Sequence, residues 1–410
     1  FSHDDFIRTT EPRHIKGVQQ LWQKLIDNGE IYLGKYCGWY AVRDEAFYAE
    51  SELIDGLAPT GAPVEWVEEP SYFFALSKWQ DRLLEFYAQN PDFIKPESRR
   101  NEILSFVKSG LNDLSVSRTS FKWGIPVPND PDHIMYVWLD ALANYITALG
   151  YPEENGEYKK FWPANVHVVG KDIIRFHAVY WPAFLMAAEL EPPQTIMSHG
   201  WWTNEGQKIS KSLGNTIDPI ALIEEFGLDP VRYFLMREVI FGNDGNFSRA
   251  SMIARINNEL SNKIGNLAQR TLSFIVKQCD GYVEVNPNAY DSDILKTCLA
   301  LKDKLTSAME KQEISFVLDE IIKLADMANV YIDHNAPWTL KKTDPAKMME
   351  VLYILLEVIR YIALLLQPFV PESDKKMLDQ LGIDEDKRSF ELLNEKGAID
   401  GSKQLLLPVP

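Results

Sequence analysis

The sequence predicts an open α/β domain built on parallel strands, followed by an all-helical region. Three observations point there. Between Trp123 and Gly200, short apolar runs alternate with a helical pattern: "VHVVG" at 166–170, then "IIRFHAVYWPAFLMAAEL", then "TIMSHG" at 195–200. From Arg249 onward the period changes. Ile253, Ile256, Leu260, Ile264, Leu267 and Phe274 step by three, four or seven and make one apolar stripe. The length, 410 residues, exceeds one ordinary core, so two to four domains are expected.

The elements follow in order. Ile15, Val18, Leu21, Leu25 and Ile26 recur at helical spacing, which predicts a helix over 14–29. The aromatic run "GKYCGWYAVRDEAFYAESEL" and the following "GLAPTGAP" read as small strands and turns. From Tyr72 to Ser109 the pattern returns to helices. The two apolar strands near 166–170 and 195–200 end at Gly170-Lys171-Asp172 and His199-Gly200. In open parallel sheets ligands sit beyond such carboxyl ends. Farther on, "MMEVLYILLEVIRYIALLLQPFVP" reads as a helix stopped by prolines. Glu357 and Arg360 interrupt it, so it is expected in a core and not across a membrane.

Composition bounds the function. Hydrophobic content of 46% and charged content of 25% are those of a soluble globular chain. Cys37, Cys279 and Cys298 are far apart and form no disulfide framework, so a reducing, cytoplasmic setting is expected. A net charge of −17 argues against nucleic-acid binding driven by overall charge; any such contact must use a local patch. The opening "FSHDDFIRTTEPRH" has no initiator Met and reads like the middle of a domain, so an N-terminal portion is expected upstream.

Four constellations carry chemistry. In "GQKISKSLGN", residues 206–215, Lys208 and Lys211 stand between two glycines. Ammonium groups on flexible stems suit a phosphate whose charge moves during reaction, although a solvated loop reads the same way. In "GKDIIRFH", Gly170 allows close backbone approach, and Asp172 opens a helix, where it can cap or accept from a ribose. Trp138, Ala141 and Tyr145 fall at i, i+3 and i+7, and His177 and Trp181 at i and i+4. Those two faces could wall an apolar pocket with one titratable ring, or could simply pack a core. Finally, Asn258, Asn262, Asn266 and Arg270 step by four, opposite the apolar stripe. Residues 246–277 hold five basic side chains against Glu259, and Trp338 lies in "HNAPW". Amides, a guanidinium and an indole on one face can read and stack unpaired bases; a solvated polar face is the alternative.

With "GQKISKSLGN", "GKDIIRFH" and "YVWLDA" in view, the chain resembles the class I aminoacyl-tRNA synthetases and, within them, the methionyl-tRNA synthetase family. Residues 208–212, "KISKS", match the family's KMSKS signature with Ile209 in place of Met. "FIRTTEPRH", "DLSVSR", "WGIPVP", "FHAVYWP", "NLAQR" and "NAPW" follow in the family's order, from about residue 3 to about residue 370. The resemblance implies an ATP-dependent reaction. Methionine attacks the α-phosphate of ATP to give methionyl-adenylate, and the aminoacyl group then passes to the terminal ribose of tRNA(Met). It implies ATP with Mg2+ as substrate, and Lys208 and Lys211 in a mobile loop holding the triphosphate. Gly170 and Asp172 would meet the ribose, and the backbone of His199, Gly200 and Trp202 the adenine. Trp138, Ala141, Tyr145, His177 and Trp181 would line the methionine pocket. Asn266, Arg270 and Trp338 would read the anticodon.

The implied architecture is the second half of a Rossmann-type catalytic domain with an inserted connective domain, followed by an α-helical anticodon-binding bundle. The expected boundaries are 1–34 for the end of the first catalytic half, 35–120 for the connective knuckle and 121–200 for the second catalytic half. The lysine loop and stem-contact segment take 201–245, the helical domain 246–375, and a C-terminal tail 376–410, whose "LLLPVP" is expected to fold back. Two departures matter. No HIGH-type motif occurs in the sequence; in the family it precedes the region matching residue 1, so this chain alone is expected to be inactive in adenylation. Relatives often carry zinc cysteines in the segment matching 35–62, whereas here Cys37 stands without a CxxC partner, so no structural zinc is expected. The knuckle would rest on Trp39, Tyr40, Phe47 and Tyr48 instead. The remaining alternatives are a synthetase for another apolar amino acid and a non-catalytic tRNA-binding module. The sequence leaves the oligomeric state open.

Overall fold

The computed structural model describes residues 3–407, apart from 44–45, 49, 154–155 and 211–213. Two compact units divide the chain, residues 1–199 and 200–410.

The first unit opens with α1, Pro12–Asp27, which starts on a proline and buries Val18, Leu21, Trp22 and Leu25 on one stripe. A long antiparallel pair follows, β1 (Ile31–Ala41) and β3 (Glu65–Phe74), flanked by β2 (Ala46–Tyr48) and β5 (Leu114–Ser115) in the order β2-β1-β3-β5. Trp39 meets Trp66 edge to face across β1 and β3, at 5.4 Å. Ala41, Ala58 and Ala62 form a small cluster with Tyr48 and Val64 packed on it. Of the aromatic residues expected to pack here, Trp39 and Tyr48 make these contacts; the Phe47 side chain lies outside the described residues. Cys37 is exposed on β1, opposite Glu68.

The helices α2 (Gln80–Gln89) and α3 (Glu97–Lys108) bracket a strand that the sequence pattern does not announce. This is β4, Ile94–Lys95, only two residues long, which pairs in parallel with β10 (Ile196–His199). Two residues are too few to show a period, and Ile94 is recognisable only by its burial. A second sheet, β6 (Ser117–Arg118), β8 (Asp130–Met135) and β7 (Pro126–Val127), leads through Tyr136 into α4, Val137–Thr147. After the short α5 (Glu157–Phe161), β9 (His167–Gly170) pairs in parallel with β10, giving the order β4-β10-β9. The parallel strands at 166–170 and 195–200 are therefore present as expected. The helix expected between them is present without a gap from Lys171 to Ala187, but its hydrogen-bonding type changes along it. It passes from a 3₁₀ turn at Lys171–Ile173 through a π-helical turn at Phe176–Tyr180 into α6, Trp181–Ala187.

α1 is pinned to α4. The buried His14 ring bonds Asp140 Oδ1 through Nε2 at 2.7 Å and Thr147 Oγ1 through Nδ1 at 2.8 Å. Gly17 allows this approach, since a Cβ there would lie 2.3 Å from Thr147 Cγ2. Trp22, Trp79, Trp181 and Phe184 fill the core beneath, each with 1% of its surface exposed or less. Burial of side chains this large contributes on the order of 1.5–3 kcal/mol each.

The second unit begins with a small sheet in the order β12-β11-β13: β11 (Trp202–Asn204) and β12 (Gln207–Lys208) form a hairpin, and β13 (Gly245–Phe247) runs parallel to β11. The hairpin turns at Glu205 and Gly206, both at positive φ. α7, Pro219–Phe226, is capped by Asp218, whose Oδ1 accepts from Ile220 N at 2.8 Å. α8 (Leu228–Arg237) and α9 (Arg249–Arg255) precede a ten-residue π-helix, Ile256–Gly265, which runs into α10, Asn266–Gln278. This π-helix and the helix before it bear on two sequence expectations. The four-residue step of Asn258, Asn262, Asn266 and Arg270 assumes α-helical phase, which i→i+5 bonding does not keep. Ile253, expected on the buried stripe, is exposed.

α11 (Asp293–Glu310), α12 (Ile314–Asn335), α13 (Pro337–Thr343) and α15 (Pro371–Gln380) pack around α14, Pro345–Leu366, which is buried at every position from Val351 to Leu366. Glu357 and Arg360 are buried with it. They pair at 2.8 Å, and Arg360 also donates to the Leu393 and Glu395 carbonyls. α14 is thus a core helix, as the sequence reading expects, and its two charged residues form a satisfied ion pair. Among the described residues no helix is long and apolar enough to cross a membrane. The segment set off by sequence as a tail contributes Met377, Leu378, Ile399 and Leu405 to this same core. Leu405 N and Leu406 N donate to the Gly281 and Gln380 carbonyls.

Candidate functional site

In the first unit, α4, the π-turn and the start of α6 bring three of the five predicted pocket residues, Tyr145, His177 and Trp181, into one aromatic group. Tyr145 Oη lies 2.8 Å from His177 Nε2, and His177 Nδ1 lies 3.0 Å from the Ile173 carbonyl. A carbonyl only accepts, so Nδ1 carries the proton, Nε2 accepts, and the Tyr145 hydroxyl donates. Trp181 stands 6.3 Å from Tyr145, ring to ring, and is fully buried. Trp138 stacks flat on Phe176 at 3.5 Å, the residue beside His177. Ala141 is half-buried on α4, and its carbonyl accepts from the Asn144 amide.

Three rings escape the sequence reading. Phe176 was hidden by its place next to His177, off the face that α-helical spacing assigns. His167 packs edge-on to Tyr145 at 4.0 Å and lies 6.4 Å from His177. Trp162 stands 6.0 Å from His167 and 6.2 Å from Trp181. A signal for His167 was present. In "VHVVG", His167 and Val169 share the buried strand face, while Val166 and Val168 are exposed.

The group carries no charge. Burial pushes the His167 imidazole down to about 3, with His177 nearby adding to the effect. Burial also lowers His177, against the opposing bond to Ile173, and raises the Tyr145 phenol. Both imidazoles are neutral near pH 7, so this wall favours a neutral, polarisable side chain over a charged one.

At the carboxyl end of β9, a Cβ at Gly170 would lie 2.5 Å from Asp172 Oδ1, so a side chain there would displace the Asp172 carboxyl group. The sheet register sets Gly170 opposite His199. Asp172 and His199 are both exposed, so the end of the sheet presents a carboxylate and an imidazole to solvent.

In the second unit, Gly200 is buried against the Asn243 carbonyl, 2.1 Å from where a Cβ would stand. Trp202 packs on the Phe234 and Phe247 cluster. Lys208 ends β12, with its ammonium 5.4 Å from the centre of the Trp201 ring. Lys211 lies outside the described residues.

Farther along that unit, Arg270 lies 5.6 Å over the Trp338 ring and pairs with Asp333. Trp338 is 46% exposed, and Asn266 is exposed one turn before Arg270 on α10. The local excess of basic residues is offset in space. Arg255 pairs with Glu238 and Glu259, Lys263 with Asp326, and Arg249 with Glu225. The sequence window could not show this, because most of these acids come from other elements.

Known proteins resemble the chain over its whole length. A family model described as tRNA synthetases class I (M) matches residues 1–62 and 60–272, and one described as the anticodon binding domain of methionyl tRNA ligase matches 287–400. A methionine–tRNA ligase of Rickettsia bellii is 67% identical over 414 residues, covering 100% of this chain and 81% of that protein. One from Rhizobium meliloti is 54% identical over 419 residues, with the same coverage. A solved structure of Mycobacterium tuberculosis methionyl-tRNA synthetase with methionyl-adenylate matches with a TM-score of 0.90 at 48% identity. It covers 100% of this chain and 82% of that one.

Proposed function

The chain belongs to the methionyl-tRNA ligases of the class I synthetases, and from that premise we propose how its residues divide the reaction. The reaction is the ATP-dependent ligation of methionine to tRNA. Relatives at 54–67% identity are all methionine enzymes, which sets aside a synthetase for another apolar amino acid. The step through methionyl-adenylate is supported by the relative that binds it. ATP enters as its Mg2+ complex, tRNA(Met) is the acceptor, and the setting is cytoplasmic.

The methionine side chain lies against Tyr145, His177 and Trp181, with Trp138 and Ala141 on the same wall. The observation that carries this is the Tyr145–His177 bond within an uncharged ring group. Both partners keep fixed protonation states, so the wall presents faces and edges of rings to a soft thioether. No general acid or base is needed there, since catalysis rests on orientation and charge stabilisation. Gly170 and Asp172 meet the ribose, and the backbone at His199, Gly200 and Trp202 meets adenine. Lys208 and Lys211 grip the polyphosphate as pyrophosphate leaves. Asn266, Arg270 and Trp338 read the anticodon, with the indole stacking a splayed base.

The test is amino-acid-dependent ATP–pyrophosphate exchange by the enzyme carrying the upstream portion that the sequence reading expects. Methionine is expected to outrun leucine, isoleucine and valine by roughly a hundredfold or more. Comparable exchange with leucine contradicts the pocket assignment. Lys211→Ala is expected to abolish most of the exchange, and unchanged exchange removes that residue from the mechanism.

A further inference from the structure

We propose that Asn215 is a positioning residue for the first signature lysine: its side-chain amide holds the backbone of Lys208–Ser210 so that the Lys208 ammonium starts within reach of the nucleotide polyphosphate. This rests on the reading that Lys208 grips that polyphosphate.

Four hydrogen bonds carry the inference. Asn215 Nδ2 donates to the Lys208 carbonyl at 3.0 Å, and Asn215 Oδ1 accepts from Ser210 N at 2.9 Å. The Asn215 carbonyl in turn accepts from Asn204 Nδ2 at 2.8 Å, which fastens the residue to β11. On the other side of the hairpin, Gly206 N donates to Asn246 Oδ1 at 2.6 Å. One amide thus engages an acceptor and a donor two residues apart, at the point where the chain leaves the sheet. A planar carboxamide suits the task because it presents a donor and an acceptor side by side without charge. A carboxylate of the same shape keeps the bond from Ser210 and sets oxygen against the Lys208 carbonyl.

The lysine needs such a hold. Its four-carbon stem lets the ammonium sweep a wide volume, and a backbone free at its base would widen that volume further. With Lys208 anchored, the ammonium rests over the Trp201 ring at 5.4 Å. That ring is 43% exposed and is held in place through Trp201 N, which donates to Asp244 Oδ1 at 2.9 Å. A cation over an exposed indole is weakly held. A polyphosphate competes for the same charge, so the lysine is stationed without being locked.

The experiment compares Asn215→Leu, Asn215→Asp and Lys208→Ala in the enzyme. Methionine-dependent ATP–pyrophosphate exchange is read beside single-turnover transfer from preformed methionyl-adenylate to tRNA. Both Asn215 variants are expected to lower exchange kcat/KM for ATP roughly ten- to a hundredfold. KM for methionine and the transfer step should stay within about twofold. Should the leucine variant fail to fold, the isosteric aspartate variant carries the comparison. Wild-type ATP kinetics in the Asn215 variants, with Lys208→Ala impaired, overturn the positioning role and leave the lysine reading standing. Unimpaired exchange by Lys208→Ala overturns both. Equal loss of exchange and transfer makes Asn215 a structural residue and also ends the proposal.

Discussion

The ring group of the first unit and the α10–α13 face of the second are both built around aromatic side chains, yet they handle charge in opposite ways. Around Tyr145 and His177, charge is excluded: the imidazoles are buried and neutral, and the one hydroxyl is committed to a ring nitrogen. Around Trp338, charge is kept and balanced: Arg270 stacks on an exposed indole while pairing with Asp333. On the proposed division of roles, the difference follows from what each would recognise. A thioether offers polarisability and no charge, so discrimination comes from shape and from the cost of stranding a polar group. An RNA loop brings phosphates and flat bases, so a half-exposed guanidinium and indole serve it, at a strength that salt can tune.

The comparison breaks first if the ring group tolerates a lost hydrogen bond. Tyr145→Phe leaves His177 Nε2 without its donor, and a buried polar atom without a partner costs about 1–3 kcal/mol. The expected outcome is a fall of roughly ten- to a hundredfold in exchange kcat/KM for methionine, with tRNA affinity unchanged by filter binding.

Opposite pH dependences sharpen it. His167 titrates below its unfolded value, so the fold favours the neutral ring. Its contribution is fully present above about pH 6.5 and is lost as pH falls toward about 3. Asp374, on α15 of the second unit, is raised to about 8 by burial and by Asp229, against the pull of Arg388. Its Oδ1 has no hydrogen-bond partner. The fold therefore favours the protonated acid, and stability falls as pH rises from about 4 to about 8. Each slope approaches about 1.4 kcal/mol per pH unit within its window. Urea midpoints at several pH values should show Asp374→Asn flattening the alkaline slope and His167→Gln flattening the acid one.

Arg270→Ala should reduce tRNA charging by roughly tenfold and make the salt dependence of tRNA binding shallower by about one unit, while adenylate formation is kept. Equal loss of both steps would mark Arg270 as structural. The smallest effect is expected from Asp333→Asn, which releases Arg270 from a half-exposed ion pair. Pairs of this kind are worth about 0.2–1 kcal/mol, so tRNA affinity should rise by no more than about fivefold.

How much of this could be read from sequence depended on whether local phase held. On α4 it held: Val137–Thr147 is α-helical, so Trp138, Ala141 and Tyr145 share a helix face as their spacing predicts. At Phe176–Tyr180 and Ile256–Gly265 the backbone is π-helical, and spacing rules written for 3.6 residues per turn misplace side chains. Phe176 was missed for that reason, whereas Asn258, Asn262 and Asn266 are all exposed, as the polar-face reading expects. Strand ends were legible because Gly170 and Gly200 punctuate them, whereas β4 was too short to show. The basic patch failed differently: a sum along the chain cannot include Asp326 and Asp333, which arrive on another helix. Lys208 and Lys211 were legible only as a motif, since a glycine-flanked basic loop has no period to read.

The claim on which the rest depends is that His177 is a neutral Nδ1–H imidazole facing the methionine side chain. Ring-nitrogen NMR of ¹⁵N-histidine-labelled enzyme, assigned with a His177→Gln variant, tests it directly. The account predicts one neutral tautomer from pH 6 to 8, with a resonance that moves on saturation with methionine. An imidazolium at pH 7, or a His177 signal unmoved by methionine, would contradict it.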